Sequence, residues 1–269
     1  MALKQAYIII ISGVIGACLG SFLNVAAHRT IQNKSWYGRE RSICESCNHV
    51  LSAIELIPVF SYLIQRGKCR HCGAKISIRY LLVEIIAALM GIIIAAKYGV
   101  SWAGLLVSIG SCSLLVNSLT DIESGDVFDM FTISTGIAGL LIRTAGGMTA
   151  IFDGLAGIAA GFAIFAAIII LSRGGMGWGD AFFMGGLGGI LGLRFTLLAL
   201  YLGIMTGGVW CIALLLIGKL HWGKHESIPL VPFLAVGCFI TMIYGAEIFN
   251  YLQARFIYTK IFIISWPFR

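Results

Sequence analysis

Eight stretches of predominantly apolar residues divide this chain, at about 6–26, 80–97, 102–120, 128–143, 151–171, 181–194, 195–218 and 230–252. About 20 such residues carry a helix across roughly 30 Å of hydrocarbon. Within a bilayer each backbone N–H and C=O has to be satisfied inside the protein, so a chain patterned this way folds as helices. The sixth stretch is short, and runs of glycine soften its borders. Only 12% of the residues are charged, against about a quarter in a soluble domain, and the mean hydropathy is +0.94. The expected fold is an all-α polytopic membrane protein with about eight transmembrane helices.

Charge sets the expected orientation. A signal peptide is basic before its apolar core, whereas here Lys4 alone precedes the first stretch and Arg29, Lys34, Arg39 and Arg41 follow it. The first stretch is therefore expected to be a retained anchor with its N-terminus outside. Alternation then places loops 27–79, 121–127, 172–180 and 219–229 in the cytoplasm, carrying nine, zero, one and two Lys/Arg against seven on the other side. That distribution obeys the positive-inside rule. It also accounts for the net charge of +7, so nucleic-acid binding is not expected.

The one long polar stretch, 27–79, holds Cys44-Glu-Ser-Cys47 and Cys69-Arg-His-Cys72, with 21 residues between the pairs. Reducing cytoplasm disfavours disulfides, and two CxxC pairs supply the four thiolates of one tetrahedral zinc ion. A small zinc-ribbon-like loop domain, held together by Zn2+, is expected between the first and second helices. His71, inside the second pair, is the weaker alternative to one thiolate. Cys18, Cys112, Cys211 and Cys238 lie in apolar stretches and read as small hydrophobes.

Acids at a membrane border are costly and call for a role. The third stretch ends in Asn117-Ser-Leu-Thr-Asp121-Ile-Glu123-Ser-Gly-Asp126-Val-Phe-Asp129, four acids without a base. The sixth begins after Gly177-Trp178-Gly179-Asp180. Asp121 and Asp180 fall on the same expected face, and two carboxylates sharing one proton are the equipment of an aspartic protease. Gly177 and Gly179 permit close approach of a substrate to the turn. Glu123, Asp126 and Asp129 are candidates for attracting a basic peptide segment. Glu84 is expected to snorkel or to pair with a loop cation, and Asp153 and Glu247 to anchor helix ends on the opposite side. Gly185/Gly189 and Gly188/Gly192 have the spacing of close helix packing, within the chain or in a homodimer.

These motifs together resemble the type IV prepilin leader peptidases. Gly20-Ser21-Phe22-Leu23-Asn24-Val25 with Arg29 is similar to that family's opening, and the cysteine loop continues through Ile57-Pro58, Ser61-Tyr62, Gly67-Lys68, Arg79-Tyr80 and Glu84 in the family's manner. Asp121 with Asp129 reproduces its D-x7-[DN] segment, Gly177 to Asp180 its GxGD, and Pro229-Leu-Val-Pro232-Phe233-Leu234 its late motif. Phe128, Phe182 and Leu230-Val231 depart from the pattern, where Pro, Lys and Phe-Gly are usual.

The resemblance implies a bacterial inner-membrane enzyme with its active site facing the cytoplasm. It would cleave the basic leader from prepilins or pseudopilins of type IV pilus or type II secretion systems, with Asp121 and Asp180 catalytic. S-adenosylmethionine-dependent N-methylation of the new terminus would follow, with Gly20 and Asn24 as candidates near the methyl donor. It implies an anchor at 1–26, a methyltransferase-associated loop at 27–79, a seven-helix peptidase domain at 80–252 and a tail at 253–269. Two alternatives stay open: a GxGD intramembrane aspartyl protease without methyltransferase activity, and a non-enzymatic zinc-ribbon scaffold.

Overall fold

The computed structural model describes residues 2–35, 41–173, 175–218 and 229–264. Arg39 and the segment containing Lys219 and Lys224, which entered the charge count, lie outside them. Each of the eight expected stretches falls on a helix: α1 (Ala2–Ile31), α3 (Ile78–Tyr98), α4 (Trp102–Ser124), α5 (Asp129–Arg143), α6 (Gly147–Leu171), α7 (Trp178–Leu191), α8 (Leu193–Leu216) and α9 (Val231–Ile264). A short helix, α2 (Phe60–Ile64), lies in the loop between α1 and α3. The segments long and apolar enough to cross a membrane number six among the described residues, because α5 and α6 count as one continuous run and α7 has only 14 residues. Two boundaries differ from expectation. The first helix extends to Ile31, shortening the polar loop, and α9 continues to Ile264 through most of the expected tail.

Local chemistry starts and stops these helices. Ser77 and Ser101 accept the Arg79 and Gly104 amides at the starts of α3 and α4, satisfying N–H groups that have no partner within the helix. Gly125, at φ 71°, ends α4 in the left-handed conformation that a side chain disfavours.

The bundle is built around α7, which lies between α5 and α6. A Cβ at Gly186 would overlap the Thr132 carbonyl of α5, and one at Gly188 would overlap the Gly157 carbonyl of α6. Gly189 faces Gly136 of α5, while Gly185 meets Phe162 of α6. The small-residue ridges of α7 are thus filled from within the chain. Phe165, Phe183, Met184 and Leu187 are fully buried around them. At the far end, Arg143 donates to the Ile190 carbonyl at 2.9 Å and pairs with Asp153 at 3.1 Å, and Asp153 accepts the Leu193 amide. Lys97 pairs with Glu247 on α3 and α9. Asp153 thus holds the end of α5 and the start of α8, and Glu247, which lies within α9 and not at its end, holds the end of α3.

Candidate active site and thiol cluster

Asp121 occupies the last turn of α4, and its backbone carbonyl accepts the capping Gly125 amide at 3.0 Å. Its buried carboxylate accepts the Val231 N–H at 3.0 Å. Val231 is the first residue of α9, so Asp121 satisfies an amide that the helix itself leaves open and places negative charge at the positive end of the helix dipole. Val231 is a member of this site that sequence reasoning missed. The proline-flanked Pro229-Leu-Val-Pro232 segment was noticed, but nothing in it signals that one of its amides serves Asp121.

Asp180 is half-buried in the first turn of α7, its amide bonded to the Gly177 carbonyl at 3.3 Å. Gly179 has a packing reason for its identity, since a Cβ there would sit 2.8 Å from the Val127 Cβ, in the turn joining α4 to α5. That contact brings the turn after Asp121 against the turn carrying Asp180. Gly177 is exposed beside it. Phe182, where the resembling family often has Lys, instead packs on Phe162, the rings 5.4 Å apart.

The acids after Asp121 do not share one environment. Glu123 pairs with Arg79, from the start of α3. Asp126 and Asp129 are exposed, and Asp129 begins α5. The run of acids therefore has a base after all, brought from 44 residues upstream in the sequence.

The polar loop between α1 and α3 folds as two similar knuckles. In the first, Cys44 N–H donates to the His49 carbonyl at 2.9 Å and Asn48 N–H returns to Cys44 at 2.8 Å. In the second, Cys69 N–H donates to Ala74 at 2.8 Å and Gly73 N–H returns to Cys69 at 3.0 Å. Asn48 and Gly73 hold equivalent left-handed conformations, φ 55° and 73°. Antiparallel bridges Ile43 to Val50 and Lys68 to Lys75 close the two turns. The four Sγ atoms lie within 4.8 Å of one another, and Cys44 and Cys72 are 3.9 Å apart. Sulfurs around a tetrahedral ion at about 2.3 Å stand about 3.8 Å apart, so the cluster fits a metal. The amides of Cys47 and Ser46 hold the Cys44 thiol down to about 7, favouring the thiolate that a metal requires. The Cys47 thiol is drawn down by the His49 amide, but desolvation and the neighbouring thiols of Cys44 and Cys72 outweigh that and raise it to about 11.

Two contacts fasten this loop to the bundle. His28 near the end of α1 meets Glu45 at 3.1 Å. Glu84, buried on α3, accepts the Val59 amide at 2.6 Å. Its partner is therefore a loop backbone amide and not a cation. Val59 has φ 65°, a conformation unfavourable for a β-branched residue.

Gly20 and Asn24, the candidates near the methyl donor, behave differently. A Cβ at Gly20 would lie 2.6 Å from the Ala87 Cβ, so this glycine lets α1 approach α3. Asn24 is fully buried, and its Nδ2 has no hydrogen-bond partner among the described residues.

Residues 14–98 match the bacterial peptidase A24 N-terminal domain, and residues 108–212 match the type IV leader peptidase family. Among curated relatives is a prepilin leader peptidase/N-methyltransferase from Aeromonas hydrophila, 29% identical over 89% of this chain and 91% of the relative. Proteins of the same name from Bacillus subtilis (strain 168), at 29% identity over 88% and 95%, and Pseudomonas putida, at 28% over 93% and 95%, are similarly close. No solved structure matches the chain. With its cysteine knuckles in the first matched region and both aspartates in the second, the chain belongs to the type IV leader peptidase family.

Proposed function

We propose that this protein is a bifunctional prepilin peptidase and N-methyltransferase of the bacterial inner membrane, multi-pass, with its N-terminus outside and its active site on the cytoplasmic side. The observation that supports the peptidase reading is the packing of Gly179, beside Asp180 at the start of α7, against Val127 in the turn that follows Asp121 at the end of α4. One aspartate, as carboxylate, takes a proton from water as it attacks the scissile carbonyl, while the other, as acid, protonates the carbonyl oxygen; the first then gives its proton to the leaving amine as the second recovers its own from the collapsing gem-diol. Two carboxylates at short range share a proton more readily than both ionise, which supplies the acid and the base together. The Val231 amide holds Asp121 in place during this exchange.

The substrates are prepilins, which the relatives' names mention, or the similar pseudopilins. Their apolar helix lies in the bilayer while the basic leader approaches the exposed Asp126 and Asp129. Glu123, engaged by Arg79, contributes less free charge to that approach and more to fastening α3 on α4. Gly177 and Gly179 keep the turn before Asp180 slim where the leader crosses.

The thiol cluster Cys44, Cys47, Cys69 and Cys72 is proposed to hold Zn2+, which would fold the loop, since metal binding energy in so small a module is folding energy. S-adenosylmethionine, implied by the relatives' names, supplies an electrophilic methyl group for the amine freed by cleavage. Asn24, with an unused buried donor at the loop-proximal part of α1, is the residue proposed to face it, and Gly20 allows the close helix packing around it.

The test is purified protein with a prepilin, followed by mass spectrometry for leader loss and for a methyl group, with and without S-adenosylmethionine. Asp121→Asn and Asp180→Asn are each expected to abolish leader loss. Cleavage by either variant would overturn the aspartate assignment; cleavage without methylation in the native protein would leave a peptidase alone.

A further inference from the structure

A second group of ligand-type side chains lies on the cysteine loop and takes no part in the thiol cluster. His49 follows the first knuckle, His71 sits between Cys69 and Cys72, and Glu55 belongs to the short helical turn Ala53–Leu56. A nitrogen from each imidazole and an oxygen from Glu55 lie within 4.8 Å of one another. We propose that His49, Glu55 and His71 form a second metal site, for a divalent late-transition ion such as Zn2+, Co2+ or Ni2+.

The site is built rather than incidental. Glu55 is held by Ser52, whose amide and hydroxyl both donate to Oε2, at 2.9 and 2.8 Å. The other oxygen, Oε1, is buried, accepts no hydrogen bond from the described residues and faces His71 Nε2 at 3.6 Å. The Glu55 side chain is only 4% exposed, and a carboxylate oxygen taken from water without a donor is costly. A cation between Oε1 and the imidazoles would remove that cost.

Geometry and chemistry agree. Donor atoms around a tetrahedral ion at about 2.1 Å stand about 3.4 Å apart, so the His71 to Glu55 spacing needs almost no adjustment. The two imidazoles lie with ring centres 3.5 Å apart, and both residues are exposed, so rotation of the His49 ring suffices to bring it onto the ion. Two imidazoles and one carboxylate suit zinc, cobalt and nickel better than calcium or magnesium, which take oxygen ligands. Three protein ligands leave at least one position for water or for a substrate group, unlike the closed four-thiolate cluster. The knuckle turns that place Cys47 and Cys69 also place the two histidines, so filling the thiol cluster organises the second site.

The test uses the full-length protein in detergent, with the thiol cluster already loaded with zinc, titrated with Co2+ and followed by calorimetry and visible absorption. The expected result is a further equivalent of Co2+ per chain whose spectrum lacks thiolate charge-transfer bands. His49→Asn, His71→Asn and Glu55→Gln should each weaken that equivalent by about a hundredfold, at least what disturbing a supporting contact costs a metal site. The first zinc equivalent should remain, which shows that the loop has kept its fold. His49 is exposed and takes no part in the Ser52 contacts, so His49→Asn is the decisive variant. Absence of a further equivalent in the native protein, or its persistence at native affinity in His49→Asn, would overturn the proposal.

Discussion

The Asp121 carboxylate accepts the backbone N–H of Val231 at 3.0 Å, joining the last turn of α4 to the first turn of α9. This one hydrogen bond gives Asp121 a fixed orientation as well as chemistry. Replacing it by Asn keeps an acceptor for the amide, so Asp121→Asn should fold with near-native stability while losing cleavage. Asp121→Ala strands a buried N–H and should cost about 1–3 kcal/mol. Thermal unfolding in detergent alongside the cleavage assay separates the two effects; equal melting temperatures for Asn and Ala would show that the bond is not stabilising.

Glu84 and Val59 make the equivalent connection for the loop. Glu84→Gln retains an acceptor and should leave the segment around α2 protected from hydrogen exchange. Glu84→Ala should expose residues 57–66 to exchange before the bundle opens. Val59→Gly removes the strain of a β-branched residue at positive φ and is expected to stabilise by about 1 kcal/mol, offset in part by glycine's freedom in the unfolded chain.

The position of Asp180 depends on glycines behind it. Gly186→Ala should force α7 away from Thr132, at about 1–3 kcal/mol for overpacking, and lower cleavage by displacing the start of the helix. Gly208→Ala on α8 is the control, because nothing lies within 4 Å of a Cβ there. Helix propensity makes that change neutral or stabilising by up to about 1 kcal/mol. Equal activity in both variants would argue against a positioning role for the α5–α7 packing.

Stripping metal from the thiol cluster should loosen both knuckles together, since each depends on the other for two of its four ligands. Cys72→Ser, or a strong chelator, is expected to expose the Cys44 and Cys69 amides to exchange while helices α4 to α9 remain protected. Unchanged exchange at those amides would mean that the backbone bonds alone hold the knuckles.

If a basic leader is drawn by free acids, Asp126→Lys with Asp129→Lys should slow cleavage, and the deficit should shrink as salt rises toward 1 M, where charges are screened beyond about 3 Å. Glu123 is a poor choice for that experiment, because altering it also releases Arg79. Identical kinetics for basic and neutral leaders in the native protein would remove the electrostatic argument.

The helices were legible because hydropathy is a local signal: each expected apolar stretch coincides with a helix, and α5 and α7 differ only in being too short to count separately as crossings. The cysteine pairs and both aspartates were legible as motifs. The contacts that assemble the site were not, for a physical reason. Val231 serves Asp121 across 110 positions, and Arg79 reaches Glu123 from another helix. Such pairings depend on helix packing, which leaves no periodic trace near either residue. The glycine spacing of α7 announced close approach, yet only the fold identifies α5 and α6 as its partners.

Helix α7 has 14 residues and α5 has 15, so each is only about 21–23 Å long at 1.5 Å per residue. The hydrocarbon of a bilayer is about 30 Å thick. The pair at the centre of the bundle therefore falls short of the membrane's full depth, while α4, α6, α8 and α9 around it do not. The far ends of α5 and α7 are tied together by Arg143, so the two short helices begin and end nearly level with each other. Asp180 stands in the first turn at the near end of α7. On the proposed function, a substrate helix would have only to loosen its last turn beside that end of α7 to present a peptide bond to Asp180.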